Sequence, residues 1–181
     1  MKKLLLFLAP GFEEIEAISI IDVLRRAQLN VTSVSITGDL YVAGAHGITV
    51  EADKLLSEVT ISDADMLILP GGMPGTKNLN VHEGLKNAIK VFAKEKKPLA
   101  AICAAPLILG QLGILEGKNA TCYPGYESNL AGAHLTKKSV VIDGNIITGN
   151  GPGAAIKFAL QIVTFLSGPE LSEEVGKGMM I

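Results

Sequence analysis

The chain has 181 residues, room for a sizeable core in one domain spanning 1–181. A hydrophobic content of 48% with 19% charged residues excludes a disordered chain, and 4% aromatics without tryptophan predicts an aliphatic core. The net charge of −2 gives no electrostatic reason for a nucleic-acid or anionic-membrane partner, and two cysteines are too few for a disulfide framework.

Residues 2–8 read as a buried strand. The apolar run is too short for an export signal and the acidic stretch EEIEAISIIDVL follows without a cleavage pattern, so a cytoplasmic location is expected. No apolar run reaches membrane-span length. Residues 13–29 carry helical periodicity through Ile15, Ile18, Ile21 and Leu24, with Glu13, Glu14 and Glu16 in the first turn, where acid suits the dipole. Residues 31–37 alternate as a second strand, and 40–53 read as a hairpin-like insertion with His46 at its tip, expected to be solvated. A third strand, 65–69, runs into Pro70-Gly71-Gly72-Met73-Pro74-Gly75, which exposes backbone N–H groups but lacks a nucleotide-binding glycine pattern. Residues 81–95 form an amphipathic helix opened by His82, a solvated first-turn residue in this reading.

Leu99 to Ile102 is a short apolar run of the kind buried on both faces of a sheet. From Cys103 the pattern becomes helical through Leu107, Leu109 and Leu112, with Pro106 in the first turn. Cys103 therefore falls between a strand's carboxyl end and a helix start, where ligands collect and a thiolate is favoured. A lowered pKa is expected for Cys103. A buried cysteine filling an apolar slot is the plain alternative. Residues 119–123 read as a short strand on which Tyr123 and Cys122 face opposite ways, followed by a helical turn over 126–133. A hairpin over 139–143 and 145–148, an apolar helix over 154–166 and a final helix over 170–177 complete the chain. Strands alternating with helices predict an α/β fold, a flavodoxin-like three-layer α/β/α sandwich with a mainly parallel sheet and a nucleophile-elbow cysteine. No Cys/His cluster has zinc spacing, and neither a metal nor a cofactor is expected.

Four blocks in order, FLAPGFEEIE at 7–16, LPGG at 69–72, AAICAAP at 100–106 and GNGPG at 149–153, resemble the ThiJ/PfpI superfamily, and within it the DJ-one subgroup of parkinsonism-associated deglycases. The likeness covers nearly the whole length and implies a domain of the class I glutamine amidotransferase-like type. It implies that Cys103 is the nucleophile and that Glu16 hydrogen-bonds its sulfur. The N–H groups of Gly72 and Ala104 would form an oxyanion-type pocket, with Tyr123, Asn150 and Gly71 around it. Protease-like members carry a histidine where this chain has Ala104, so peptidase activity is not expected. The deglycase has a histidine at the position of Tyr123 and an arginine at that of Asn150. His134 falls outside the implied site.

Two functional readings follow from the resemblance. In one, Cys103 and Glu16 act on a small reactive carbonyl, a 2-oxoaldehyde or a glycated group, by glyoxalase or deglycase chemistry. In the other, the protein is a redox sensor or stress chaperone whose Cys103 is oxidised by peroxide to a sulfinate. A module with an inert cysteine is the third possibility. The resemblance also implies a homodimer, and helix 13–29 carries apolar residues on more than one face.

Overall fold

The run KLLLFL at Lys3–Leu8 (β1) has its last five residues buried, so both faces of the strand need cover. In the computed structural model, which describes residues 2–181, that cover comes from helices on either side of a seven-stranded sheet. After β1 come helix Glu14–Arg26 (α1) and strand Asn30–Ser35 (β2). Tyr41–Ala43 (β3) and Thr49–Glu51 (β4) pair antiparallel as a separate hairpin, as expected for the insertion. Lys54–Leu55 (β5) adds a short edge to the main sheet, and Met66–Leu69 (β6) returns to its centre. Helices Gly75–Val81 (α2) and Glu83–Lys94 (α3) lead to Leu99–Ile102 (β7), and Pro106–Gln111 (α4) follows. Asn119–Ala120 (β8) and His134–Leu135 (β9) form their own small sheet. Val140–Asp143 (β10), Ile146–Gly149 (β11), Ala155–Ser167 (α5) and Pro169–Gly178 (α6) close the chain.

The sheet order is β10-β11-β7-β6-β1-β2-β5, with only β10 antiparallel. The β1-to-β2 and β6-to-β7 crossovers run in opposite directions across the sheet. Right-handed crossovers therefore put α1 and α3 on opposite faces, with α5 packed beside α1. The reversal lies between β1 and β6, and the carboxyl ends of β1, β6 and β7 meet at one edge there. Such a switch point is where open α/β sheets hold ligands.

Several expected boundaries move for identifiable reasons. The first helix stops at Arg26 instead of 29 because Gln28 turns left-handed at φ 55. The Leu29 N–H then donates to Leu24 O at 3.0 Å and the Gln28 N–H to Arg25 O at 2.9 Å, a Schellman closure made without glycine. Lys96, also at φ 55, ends α3 in the same way. The helix expected over 81–95 is found at Glu83–Lys94, and a separate helix that was not expected, Gly75–Val81, precedes it. His82 is not a solvated first-turn residue but the N-cap of α3, its Nδ1 accepting the Leu85 N–H at 3.1 Å. The strand expected over 119–123 is only two residues long and lies off the main sheet.

Candidate active site

Cys103 stands in the turn between β7 and α4 with φ 64, a left-handed conformation unusual for a side chain with a Cβ. Its neighbours fix it there: its N–H donates to Gly149 O at 2.9 Å, and its C=O accepts the Tyr123 N–H at 2.7 Å. The helix proper starts only at Pro106, so the sulfur meets single N–H groups, those of Gly72 and Ala104, rather than a full helix terminus.

Glu16, in the first turn of α1, is fully buried. Its Oε2 accepts the Gly71 N–H at 2.7 Å, while Oε1 is buried without a hydrogen bond of good geometry and the carboxyl faces the Cys103 thiol. Gly71 makes this approach possible. A Cβ there would lie 2.5 Å from the Cys103 Cβ and 2.9 Å from Glu16 Oε2. Gly72, at φ 90, packs its Cα against the start of α1, where the Glu13 N–H donates to Gly71 O at 3.0 Å.

Burial pushes the Glu16 carboxyl up to about 7, against the Gly71 N–H and the thiol, which lower it. Burial, and then the charge and hydrogen bond of Glu16, push the Cys103 thiol up to about 12; the Gly72 and Ala104 N–H groups only partly offset this. The lowered thiol pKa expected from the strand–helix joint is therefore not found. Two facing acids share a dry site, the first proton leaves near neutrality, and the remaining one is held tightly. Cys122 is also raised, to about 11, by burial and by the Glu127 charge.

Cys103 and Ala104 line a cleft of about 450 Å³ with Gly72, Met73, Tyr123 and Tyr126. Tyr123 is half-exposed and its ring meets that of Tyr126 edge-on, with centroids 6.4 Å apart. Gly71 does not line the cleft; it acts from behind, through Glu16. Asn150 is also absent from the lining and borders a shallower depression on the far side of Tyr123 and Pro152, because its N–H is drawn to Ser139 O at 3.0 Å. His134 lies in β9, outside the cleft. A larger hollow of about 620 Å³ between α5 and α6 contains no cysteine.

His46 sits exposed at the hairpin tip, as expected, but its place beside the cleft and its acidic partners were not foreseen. The tip of the β3–β4 hairpin folds onto the start of α1, and His46 borders the Cys103 cleft beside Glu13. Its N–H donates to Glu14 Oε1 at 2.7 Å, and its Nδ1 lies 2.9 Å from Glu14 Oε2 and 3.6 Å from Glu13 Oε2. The hydrogen bond to Glu14, then the charge of Glu13, hold its imidazole pKa above the ordinary value. The signal available in the sequence was the pair of acids ahead of Glu16, more than a helix dipole needs.

The DJ-1/PfpI family profile matches residues 2–165. The chain belongs to the DJ-1/PfpI family. It is 40% identical to DJ-1 homolog A of Arabidopsis thaliana over 99% of its own length, and it spans 47% of the length of that relative. With the dj-1beta protein of Drosophila melanogaster it shares 37% identity over 99% of this chain and 97% of the other. The solved structure of oxidized Toxoplasma gondii DJ-1 superposes with a TM-score of 0.95 at 34% identity, covering 99% of this chain and 98% of that one. The flavodoxin-like α/β fold is thus that of the family, and no helix among the described residues is long and apolar enough to cross a membrane.

Proposed function

We propose that this DJ-1-like chain is a cysteine-dependent stress-response protein of the cytoplasm that acts on small 2-oxoaldehydes or glycated groups through Cys103 and Glu16. The observation that carries this reading is the Cys103 thiol on the floor of an open cleft, with a buried carboxyl of pKa about 7 against it and two backbone N–H groups facing the sulfur. A thiol of high pKa needs a base at the moment of attack. Ionised Glu16 takes the thiol proton as the sulfur adds to the aldehyde carbon, and returns it to the new alkoxide, giving a hemithioacetal. With methylglyoxal, Glu16 then takes the C–H proton of that carbon, the electron pair forming an enediolate with the adjacent carbonyl, and returns the proton to that adjacent carbon, while the hydroxyl proton of the hemithioacetal passes to the neighbouring oxygen, to leave a lactoyl thioester. Water cleaves the thioester to lactate and the free thiol. The Gly72 and Ala104 N–H groups stabilise oxygen charge next to the sulfur, and Tyr123 positions the substrate from the wall.

Glutathione-independent conversion of methylglyoxal to lactate tests this. Slow turnover is expected, abolished by Cys103→Ser and reduced about 10²–10⁴-fold by Glu16→Gln. Tyr123→Phe should cost about tenfold, near 1.4 kcal/mol. A second reading, a peroxide sensor, is favoured by one feature: no second thiol borders the Cys103 cleft, so a sulfenate has no partner at hand and proceeds to sulfinate. Absence of turnover, with selective sulfinate formation at Cys103 in peptide mapping, would replace the enzyme reading by that one.

A further inference from the structure

Resting on the carbonyl chemistry assigned to Cys103 above, we propose that the Cys103 cleft is a binding site for uncharged carbonyl compounds bearing an aryl or branched alkyl group. Of the 2-oxoaldehydes, those of this kind are its substrates in preference to methylglyoxal. The cleft's volume of about 450 Å³ lies in the range, about 300–1,000 Å³, that holds drug-sized ligands. Methylglyoxal carries a single methyl group beyond its carbonyls and leaves most of that space to water.

The walls are apolar, formed by Ile15, Met73, Ala104, Tyr123, Tyr126 and Pro152. Met73 is 41% and Tyr123 44% exposed, so apolar surface stays wet beside the thiol until a ligand covers it. The charged side chains at the cleft are Glu13 and His46, and they face each other, His46 Nδ1 lying 3.6 Å from Glu13 Oε2. The same nitrogen is 2.9 Å from Glu14 Oε2. Among the described residues no lysine or arginine lines the cleft. A carboxylate or phosphate on the ligand would therefore give up its water without meeting a free cation.

The aromatic wall is built in advance. The Tyr123 N–H donates to Cys103 O at 2.7 Å, which ties this residue's backbone to the nucleophile. Its ring lies against Gly151, where a Cβ would come within 3.1 Å of Cδ2. Tyr126 O accepts the Asn129 N–H at 3.0 Å, and Asn129 Oδ1 accepts Gln111 Nε2 of α4 at 3.0 Å. The two tyrosine rings meet at 68°, an arrangement that a third ring can extend. Walls fixed in this way lose little freedom when a ligand binds. The Gly72 and Ala104 N–H groups take the carbonyl oxygen, so the substituent is left to the apolar walls.

Alkylation of Cys103 by iodoacetanilide, iodoacetamide and iodoacetate tests the cleft without needing turnover, each rate being divided by that of the same reagent with N-acetylcysteine. Wild type should favour the aryl reagent over iodoacetamide by about tenfold or more, and should disfavour iodoacetate. The aryl advantage should fall to about threefold or less in Tyr126→Ala and should shrink in Met73→Ala. Met73 is an exposed side chain, so its variant decides the matter even if Tyr126→Ala fails to fold. In turnover, kcat/KM for phenylglyoxal should exceed that for methylglyoxal by about tenfold or more. Equal corrected rates for the aryl and small reagents, or an aryl advantage untouched by both variants, would overturn the proposal even if methylglyoxal is converted to lactate. Aryl selectivity without turnover of either oxoaldehyde would uphold the ligand class while ending the carbonyl chemistry.

Discussion

Cys103 and Glu16 each have a pKa that makes sense only with the other present. Removing the carboxylate takes away two of the three influences that raise the thiol, its charge and its hydrogen bond, and leaves burial. The alkylation profile of Cys103 in Glu16→Gln should therefore shift to lower pH than in wild type, while Cys122 keeps its own profile. Iodoacetamide labelling against pH, read by peptide mass, checks this; an upward shift would mean that Glu16 serves as a proton donor to a resting thiolate. Gly71 makes a sharper case, because its φ is ordinary and only space forbids a side chain. Gly71→Ala brings a Cβ within 2.9 Å of Glu16 Oε2 and 3.0 Å of Ile102 O, both in a packed setting. Overpacking of this kind costs about 1–3 kcal/mol. Urea unfolding should show that loss, together with displaced Cys103 reactivity.

Among the elements, the three central strands and the cysteine joint were legible because unbroken apolar runs such as Leu4–Leu8 and Leu99–Ile102 admit few readings. What escaped was decided by contacts distant in sequence or by single backbone conformations. Gln28 and Lys96 end helices in left-handed geometry that no residue preference announces. His46 meets Glu14 across 32 positions. The thiol pKa followed burial, which a strand-to-helix pattern does not reveal. Asp53 is a further long-range tie, fastening the end of the hairpin insertion to β2 and α1. It accepts the Ser33 N–H and hydroxyl at 2.7 Å each and pairs with Arg25 at 2.6 Å. Burial opposes its ionisation, but the Ser33 bonds and Arg25 outweigh that and hold its pKa below 3.8. A carboxyl with a depressed folded pKa contributes stability above its unfolded value, and that contribution fades as pH falls through the folded one. Thermal melts from pH 5 downward should show this acid limb shrinking in Asp53→Asn, which should also be less stable than wild type at pH 7.

At the scale of the whole molecule, the cleft and the exposed side of α1 are adjoining surfaces. Ile15 is 58% exposed and borders the Cys103 cleft, and Ile18, 43% exposed, lies one turn further along the same helix. Both flank the buried stripe of Ala17, Ile20, Ile21 and Leu24 that packs inward. A helix that has already buried one apolar face and still shows isoleucine on another is fitted for a partner surface. The homodimer implied by the family resemblance is expected to use this side of α1, where two copies could meet about a twofold axis. Sedimentation at micromolar concentration should give a dimer, and Ile15→Glu together with Ile18→Glu should give a folded monomer. Since Ile15 also borders the cleft, the monomer should lose cleft-dependent selectivity of Cys103 labelling as well as its partner. A wild-type monomer, or a double variant that remains dimeric, would exclude this face as the contact.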